Sequence, residues 1–135
     1  MSKFIKIRKT AVAYARLGSK IQTNTSITIE SQLAEIQEFA KKNDYVILEK
    51  YVDENESGLS MKRPALKKLL ADTKKGRPWG TVIVHDHFRL TRRKNHSKMI
   101  MNRLKKAEVE LRFVKTNDIM SDIFAAQAVH LWPTK

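Results

Sequence analysis

Four arginines, Arg16, Arg63, Arg89 and Arg92, stand at or just beyond the carboxyl ends of apolar runs. A guanidinium fork matches phosphate oxygens bidentately and holds its charge under desolvation better than an ammonium does. Several of them converging on one crevice would bind a phosphodiester and stabilise charge developing at phosphorus. Any one alone is ordinarily a solvated surface residue. Arg89 and Arg92 are three apart, a spacing that puts them on one face of a helical turn. Arg16 is followed by Leu17, Gly18 and Ser19, so a glycine and a hydroxyl lie beside a cation, a combination suited to an anion. Gln32 falls within reach of that loop, although by itself it reads as an exposed polar residue.

A second constellation is His85-Asp86-His87. On a strand the two histidines alternate onto one face, which would suit a metal-dependent hydrolase. The chain has no cysteine and no second acidic cluster to complete such a site, so no metal is expected. There is no glycine-rich dinucleotide or Walker loop and no G-x-S-x-G elbow.

The elements that must position these residues follow from periodicity. Thr10 to Ala15 is β-branched, aromatic and small, the pattern of a strand buried on both faces and ended by Arg16. Leu17 to Ser26 is a polar loop. Thr28 caps a helix that carries Glu30 in its first turn, with Ile29, Leu33, Ile36 and Ala40 as its stripe, running to about Asn43. Tyr45 to Asp53 is a second strand, and Glu54 to Lys62 a loop. Arg63-Pro64 opens a helix from Ala65 to Lys75 that Gly76 stops. Arginine is a poor cap, so Arg63 either leaves the helix weakly capped or serves something beyond it. Trp79 to Asp86 is a third strand, and Asn95 to Ala107 a helix with Met99, Ile100 and Leu104 inside. Glu110 to Thr116 is a fourth strand. Asp118 to Leu131 is a last helix, apolar at Ile119, Ile123, Ala126 and Leu131. Strand and helix alternate throughout, which predicts an α/β fold with a mostly parallel central sheet of about four strands and helices on both faces.

Composition narrows the setting. A chain of 135 residues suffices for one domain with a core and not for two. The absence of cysteine points to a reducing cytoplasm, and no apolar run reaches membrane-spanning length. Met1 to Thr10 is basic, but the apolar stretch behind it is too short for a signal peptide. The net charge is +13, and Lys62 to Lys115 alone, with seventeen Lys and Arg against four Asp and Glu, accounts for all of it. Such one-sidedness predicts a polyanionic partner, nucleic acid ahead of a membrane surface.

Taken in order, four blocks resemble one family. They are Tyr14-Ala-Arg16-Leu-Gly-Ser19, then Thr28-Ile-Glu-Ser-Gln32-Leu, then Tyr51-Val-Asp53 with Ser57-Gly58 and Arg63-Pro64, then Phe88-Arg89-Leu-Thr-Arg92. Together, over about Ala11 to Thr116, they resemble the catalytic domain of serine site-specific recombinases: the resolvases, invertases and large serine integrases. The resemblance implies phosphoryl transfer on double-stranded DNA with no metal or cofactor. A serine hydroxyl attacks a phosphodiester, forming a 5′-phosphoserine link and freeing a 3′-hydroxyl; subunits of a tetramer exchange and the strands are rejoined. By position Arg16, Arg63, Arg89 and Arg92 correspond to the family's arginine cluster, Gln32 and Asp53 to supporting polar positions. Arg93 and Lys94 continue the basic run as DNA-binding residues.

The departures are specific. Gly18 occupies the nucleophile position, with Ser19 beside it as the candidate substitute. Phe88 stands where an acidic residue usually precedes the arginine pair. The chain stops at Trp132-Pro-Thr-Lys135, short of the long interface helix and the DNA-binding region. The expectation is one catalytic domain over residues 1–135, with its core in 11–116 and a truncated helix and tail in 117–135. Its self-association should be weaker than the family's dimers and tetramers. Two readings follow: an enzyme that cleaves and rejoins DNA, or a relic that binds DNA or a recombinase partner without cutting.

Overall fold

The computed structural model describes residues 9–18, 27–54 and 62–116. Along them run β1 (Lys9–Leu17), α1 (Ile29–Lys42), β2 (Tyr45–Glu54), α2 (Pro64–Ala71), β3 (Thr81–Val84), the one-turn helix α3 (His87–Leu90), α4 (Lys94–Lys106) and β4 (Glu110–Phe113). The strands form one sheet in the order β2-β1-β3-β4, and every pairing is parallel. The expected α/β class is the observed one.

Parallel neighbours need crossovers of one hand, so a change in the direction of strand progression moves the connecting helix to the other face. The chain steps from β1 outward to β2, then back across β1 to β3 and on to β4. Accordingly α1 packs with Ala11, Ala13, Tyr45 and Ile83 on one face. Helices α2 and α4 pack with Val12, Tyr14, Val82 and Val84 on the other. The reversal makes a topological switch point between β1 and β3, and open α/β sheets bind ligands outside the carboxyl ends of the strands at such a point.

Alternation along β1 divides its side chains between the two cores: Ala11 and Ala13 face α1, whereas Val12 and Tyr14 face α2 and α4. In β2 a bulge breaks this rule. Ala11 pairs with Ile47 and Val12 with Glu49, leaving Leu48 as the extra residue. Before the bulge, Tyr45 and Ile47 pack on the α1 side; after it, Tyr51 packs on the α2 side. A bulge that shifts the pleat by one residue thus turns the end of β2 toward α2.

Helix α1 begins in a capping box: Thr28 Oγ1 accepts from the Ser31 amide at 3.0 Å, and Ser31 Oγ accepts from the Thr28 amide at 2.8 Å. Several boundaries differ from expectation. Helix α2 ends at Ala71, not Lys75, because Asp72 turns its carboxylate to the Tyr51 hydroxyl (2.7 Å) and Lys68, and Thr73 Oγ1 donates to the Leu70 carbonyl. Gly76 follows in a separate turn at φ +87. In α4 the buried stripe is Ser97, Ile100, Met101 and Leu104, and Met99 is exposed. Strands β3 and β4 are shorter than expected, ending at Val84 and Phe113. The helix expected over Asp118–Leu131 and most of the loops expected over 17–26 and 54–62 lie outside the described residues.

Candidate functional site

Arg16 is the second-to-last residue of β1, on the face of Tyr14, and is buried. The β1–β3 ladder ends at Tyr14 and Val84, whereas β1 pairs with β2 as far as Leu17. Where β3 gives out, the Gln32 side chain takes its place. Gln32 Nε2 donates to the Arg16 carbonyl at 2.9 Å, and the Arg16 amide donates to Gln32 Oε1 at 3.2 Å. Gln32 is fully buried, not exposed, because it satisfies the last open backbone pair of a central strand.

The guanidinium of Arg16 crosses to α3, where Nε donates to the Arg89 carbonyl at 3.0 Å and Nη2 to the Phe88 carbonyl at 2.7 Å. Arg63, with no measurable exposure, reaches the next carbonyl, Leu90. Its side chain makes no cap to its own helix and lies 5.8 Å from the centroid of the Tyr14 ring. Two buried cations therefore grip the carboxyl end of α3, where the backbone carbonyls of a helix end favour positive charge. Arg89 returns the contact, donating from Nη1 to the Arg16 carbonyl at 3.4 Å.

Asp53 caps α2 in place of Arg63. Its carboxylate accepts from the amides of Ala65 (2.8 Å) and Leu66 (3.0 Å) and from the Tyr14 hydroxyl (2.8 Å), and the residue is buried. The β2 bulge places it there. Burial, first, pushes the Tyr14 hydroxyl well above the usual tyrosine range, against the nearby Arg63 charge and with the help of Asp53. Asp86 plays the matching part for α3. Its Oδ1 accepts from the Arg89 amide at 3.2 Å, and its Oδ2 lies 2.8 Å from His85 Nδ1.

Arg89 and Arg92 do not share a helical face. The turn closes at Leu90, Thr91 is extended at φ −167, and Arg92 stands beyond it, exposed. The cluster nevertheless converges. Burial and then the charge of Arg63, with those of Arg89 and Arg92, lower the Arg16 guanidinium to about 10, partly offset by Tyr14. It remains a cation at neutral pH. Three guanidiniums thus bear on Arg16 at the carboxyl ends of β1 and β3, while Asp53 and Asp86 use their oxygens as caps. Exposure grades from Arg63 and Arg16, both buried, through the Arg89 side chain at 17% to exposed Arg92. Arg93 and Lys94 continue along the exposed side. Gly18 is buried directly after β1; Ser19 lies outside the described residues.

The histidines do not share a strand face, because β3 ends at Val84 and His87 belongs to α3. His85 lies between Asp86 and Glu35, with Nε2 at 3.2 Å from Glu35 Oε1. His87 points into the core, its Nε2 3.1 Å from Ser97 Oγ. Among the described residues no three His, Asp or Glu come together to hold a metal ion. Nor is any helix among them long and apolar enough to cross a membrane. Burial lowers the His87 pKa below its ordinary 6.5, so the unfolded chain binds this proton more readily than the folded one. Stability should accordingly fall as the pH drops below about 6.5. Urea denaturation across pH 5–8 should show a shallower acid slope for His87→Gln than for the unmodified chain; identical slopes would contradict the assignment.

The sequence reading missed two participants. Tyr14 was legible in principle, since it lies two residues from Arg16 on one strand and so shares its face. Asp86 was legible as an N-cap residue before His-Phe-Arg-Leu.

Comparisons with known proteins bear on the family and the fold. The family model described as "Resolvase, N terminal domain" matches residues 11–129. A Bacillus subtilis (strain 168) protein described as "Putative DNA recombinase" is 34% identical over 101 residues, which are 75% of this chain and 19% of that protein. The chain thus spans about a fifth of the length of this curated relative. Among solved structures, the N-terminal catalytic domain of TP901-1 integrase superposes with a TM-score of 0.73 at 21% identity, covering 78% of each chain. The C-terminal catalytic domain of ISC1926 TnpA, an IS607-like serine recombinase, gives 0.68 at 26% identity over 87% of this chain and 79% of that one. A resolvase family site-specific recombinase from Streptococcus pneumoniae gives 0.69 at 24% identity over 90% and 87%.

Proposed function

The chain belongs to the resolvase N-terminal domain family, and on that premise we propose that it acts in serine-recombinase-type DNA recombination as a catalytic domain with an intact phosphate cradle and an unfilled nucleophile position. The observation that carries this reading is the convergence of Arg16, Arg63, Arg89 and Arg92 at the switch point of the sheet. In this reading a DNA phosphate meets Arg92 and Arg89 at the rim. Arg16 and Arg63 lie behind them, hold α3 and add to the positive field. The guanidiniums supply the electrostatic stabilisation of phosphoryl transfer that Mg²⁺ supplies in other enzymes. Gln32 fixes the backbone of Arg16, and Asp53 fixes the start of α2 beside Arg63; both are positioning residues. Residues 1–135 act as one catalytic domain.

The step in question is attack by a serine oxygen on phosphorus with departure of the 3′-oxygen. Gly18 has no side chain to deliver that oxygen. This favours a second reading, in which the protein holds DNA, or pairs with a recombinase partner, without cutting.

The enzyme reading, and the second reading where the chain itself holds DNA, require affinity for duplex DNA that is sequence-independent and salt-sensitive. Replacing Arg89 and Arg92 together by alanine should weaken it uniformly across sequences and lower the slope of log affinity against log salt by about 1–2 units. Fluorescence anisotropy with labelled duplexes measures this. Binding by the unmodified chain that is indifferent to salt would contradict the reading.

A further inference from the structure

The sheet separates the molecule electrostatically. On the α1 face, α1 carries Glu30, Glu35 and Glu38 against Lys41 and Lys42. On the opposite face, α2 carries Lys67 and Lys68, and α4 carries Lys94, Lys98, Arg103, Lys105 and Lys106 with no acidic residue in either helix. The basic excess located in the sequence thus lies largely on one side, next to the arginine cluster.

Within α4 the charges are arranged, not scattered. The buried stripe is Ser97, Ile100, Met101 and Leu104. At 100° per residue, Lys94, Lys98 and Lys105 fall within about 40° of one another on one flank of that stripe. All three are exposed, and none forms an ion pair among the described residues. Arg103 lies on the other flank, where Nη2 donates to the Leu70 carbonyl at 3.5 Å. Like charges at i,i+4 on a helix destabilise it by about 0.2–0.5 kcal/mol per pair, and no acid in α4 offsets Lys94 and Lys98. The row rises about 16 Å along the axis from Lys94 to Lys105. Its start adjoins exposed Arg92 and Arg93 at the rim of the cluster, so positive charge continues from the cluster along the helix.

We propose that the Lys94–Lys98–Lys105 flank of α4 is a second DNA contact, a track for a phosphodiester backbone leading away from the arginine cluster. This rests on the reading of the chain as a DNA-acting domain and adds where the duplex lies. A straight row of unpaired lysines complements a polyanion with regularly spaced charges. Exposed Met99 is a single apolar residue, too little to anchor the helix in a membrane. The track tolerates any sequence, because lysine contacts to phosphate position the protein and do not read bases.

The test compares two triple variants that remove the same charge from different faces. Lys94→Gln, Lys98→Gln and Lys105→Gln together empty the track; Lys41→Gln, Lys42→Gln and Lys50→Gln together form the control. Glutamine matches lysine closely in helix propensity, and circular dichroism verifies folding of both. Anisotropy with a random-sequence duplex between 50 and 200 mM salt should show the track variant losing about 2–3 units of log–log slope, with the control within about 0.5 unit of the unmodified chain. Equal losses in both variants would reduce the effect to net charge and overturn the proposal. So would unchanged duplex affinity in the track variant, or the loss only of binding to phosphatidylserine vesicles. If the Arg89/Arg92 variant loses DNA affinity while the track variant does not, the proposed function stands and this inference alone fails. If the unmodified chain binds no duplex, both fail.

Discussion

Replacing Asp53 by alanine is expected to destabilise the fold by about 3–5 kcal/mol, a large share of the total stability of a domain of this size. The carboxylate caps two amides of α2 and accepts the Tyr14 hydroxyl, all in a buried setting. Alanine leaves three donors without a partner where water cannot easily replace it. It also removes negative charge from the surroundings of buried Arg63. Asparagine keeps an acceptor oxygen and is itself a good capping group, so Asp53→Asn should lose clearly less than Asp53→Ala. Urea denaturation of the two variants measures the difference. A loss below about 1 kcal/mol in Asp53→Ala would mean that the carboxylate is not the cap of α2.

Asp53 also shows where the sequence stopped being informative. Its family position is legible, but its physical task is not, because the helix it caps begins eleven residues later and the chain is brought back only by tertiary packing. The same holds for the β2 bulge. Register belongs to two strands at once, and nothing local to Leu48 announces that Tyr51 and Asp53 will face α2. Local signals fared better. The apolar run from Ala11 to Ala15 is fully buried as its composition predicts, and the spacing of Ile29, Ile36 and Ala40 gives the buried side of α1. In α4 the stripe was misread because one of its positions is polar. Ser97 is buried against His87, and counting only apolar residues promotes Met99 over Met101. Gln32 was underestimated for a related reason, since a buried amide pairing with a strand end leaves no mark in hydropathy. Arg89 and Arg92 kept their place beside Arg16 although the helical turn expected to align them ends between them.

The chemistry turns on Gly18. If a phosphate sits against the arginine cluster, in-line attack needs an oxygen about 3 Å from phosphorus. Ser19 is one residue further on, and in extended backbone adjacent side chains point to opposite faces. Glycine admits backbone angles that would correct this, and Ser19→Ala tells the two cases apart. Gly18→Ser should therefore gain covalent chemistry that the unmodified chain lacks, whereas Ser19→Ala should change nothing.

The decisive measurement is a denaturing gel of the unmodified chain, Gly18→Ser and Ser19→Ala, each incubated with labelled nicked duplex DNA. A covalent protein–DNA band is expected from Gly18→Ser alone. A strong band from the unmodified chain that disappears in Ser19→Ala would contradict it and make Ser19 the nucleophile.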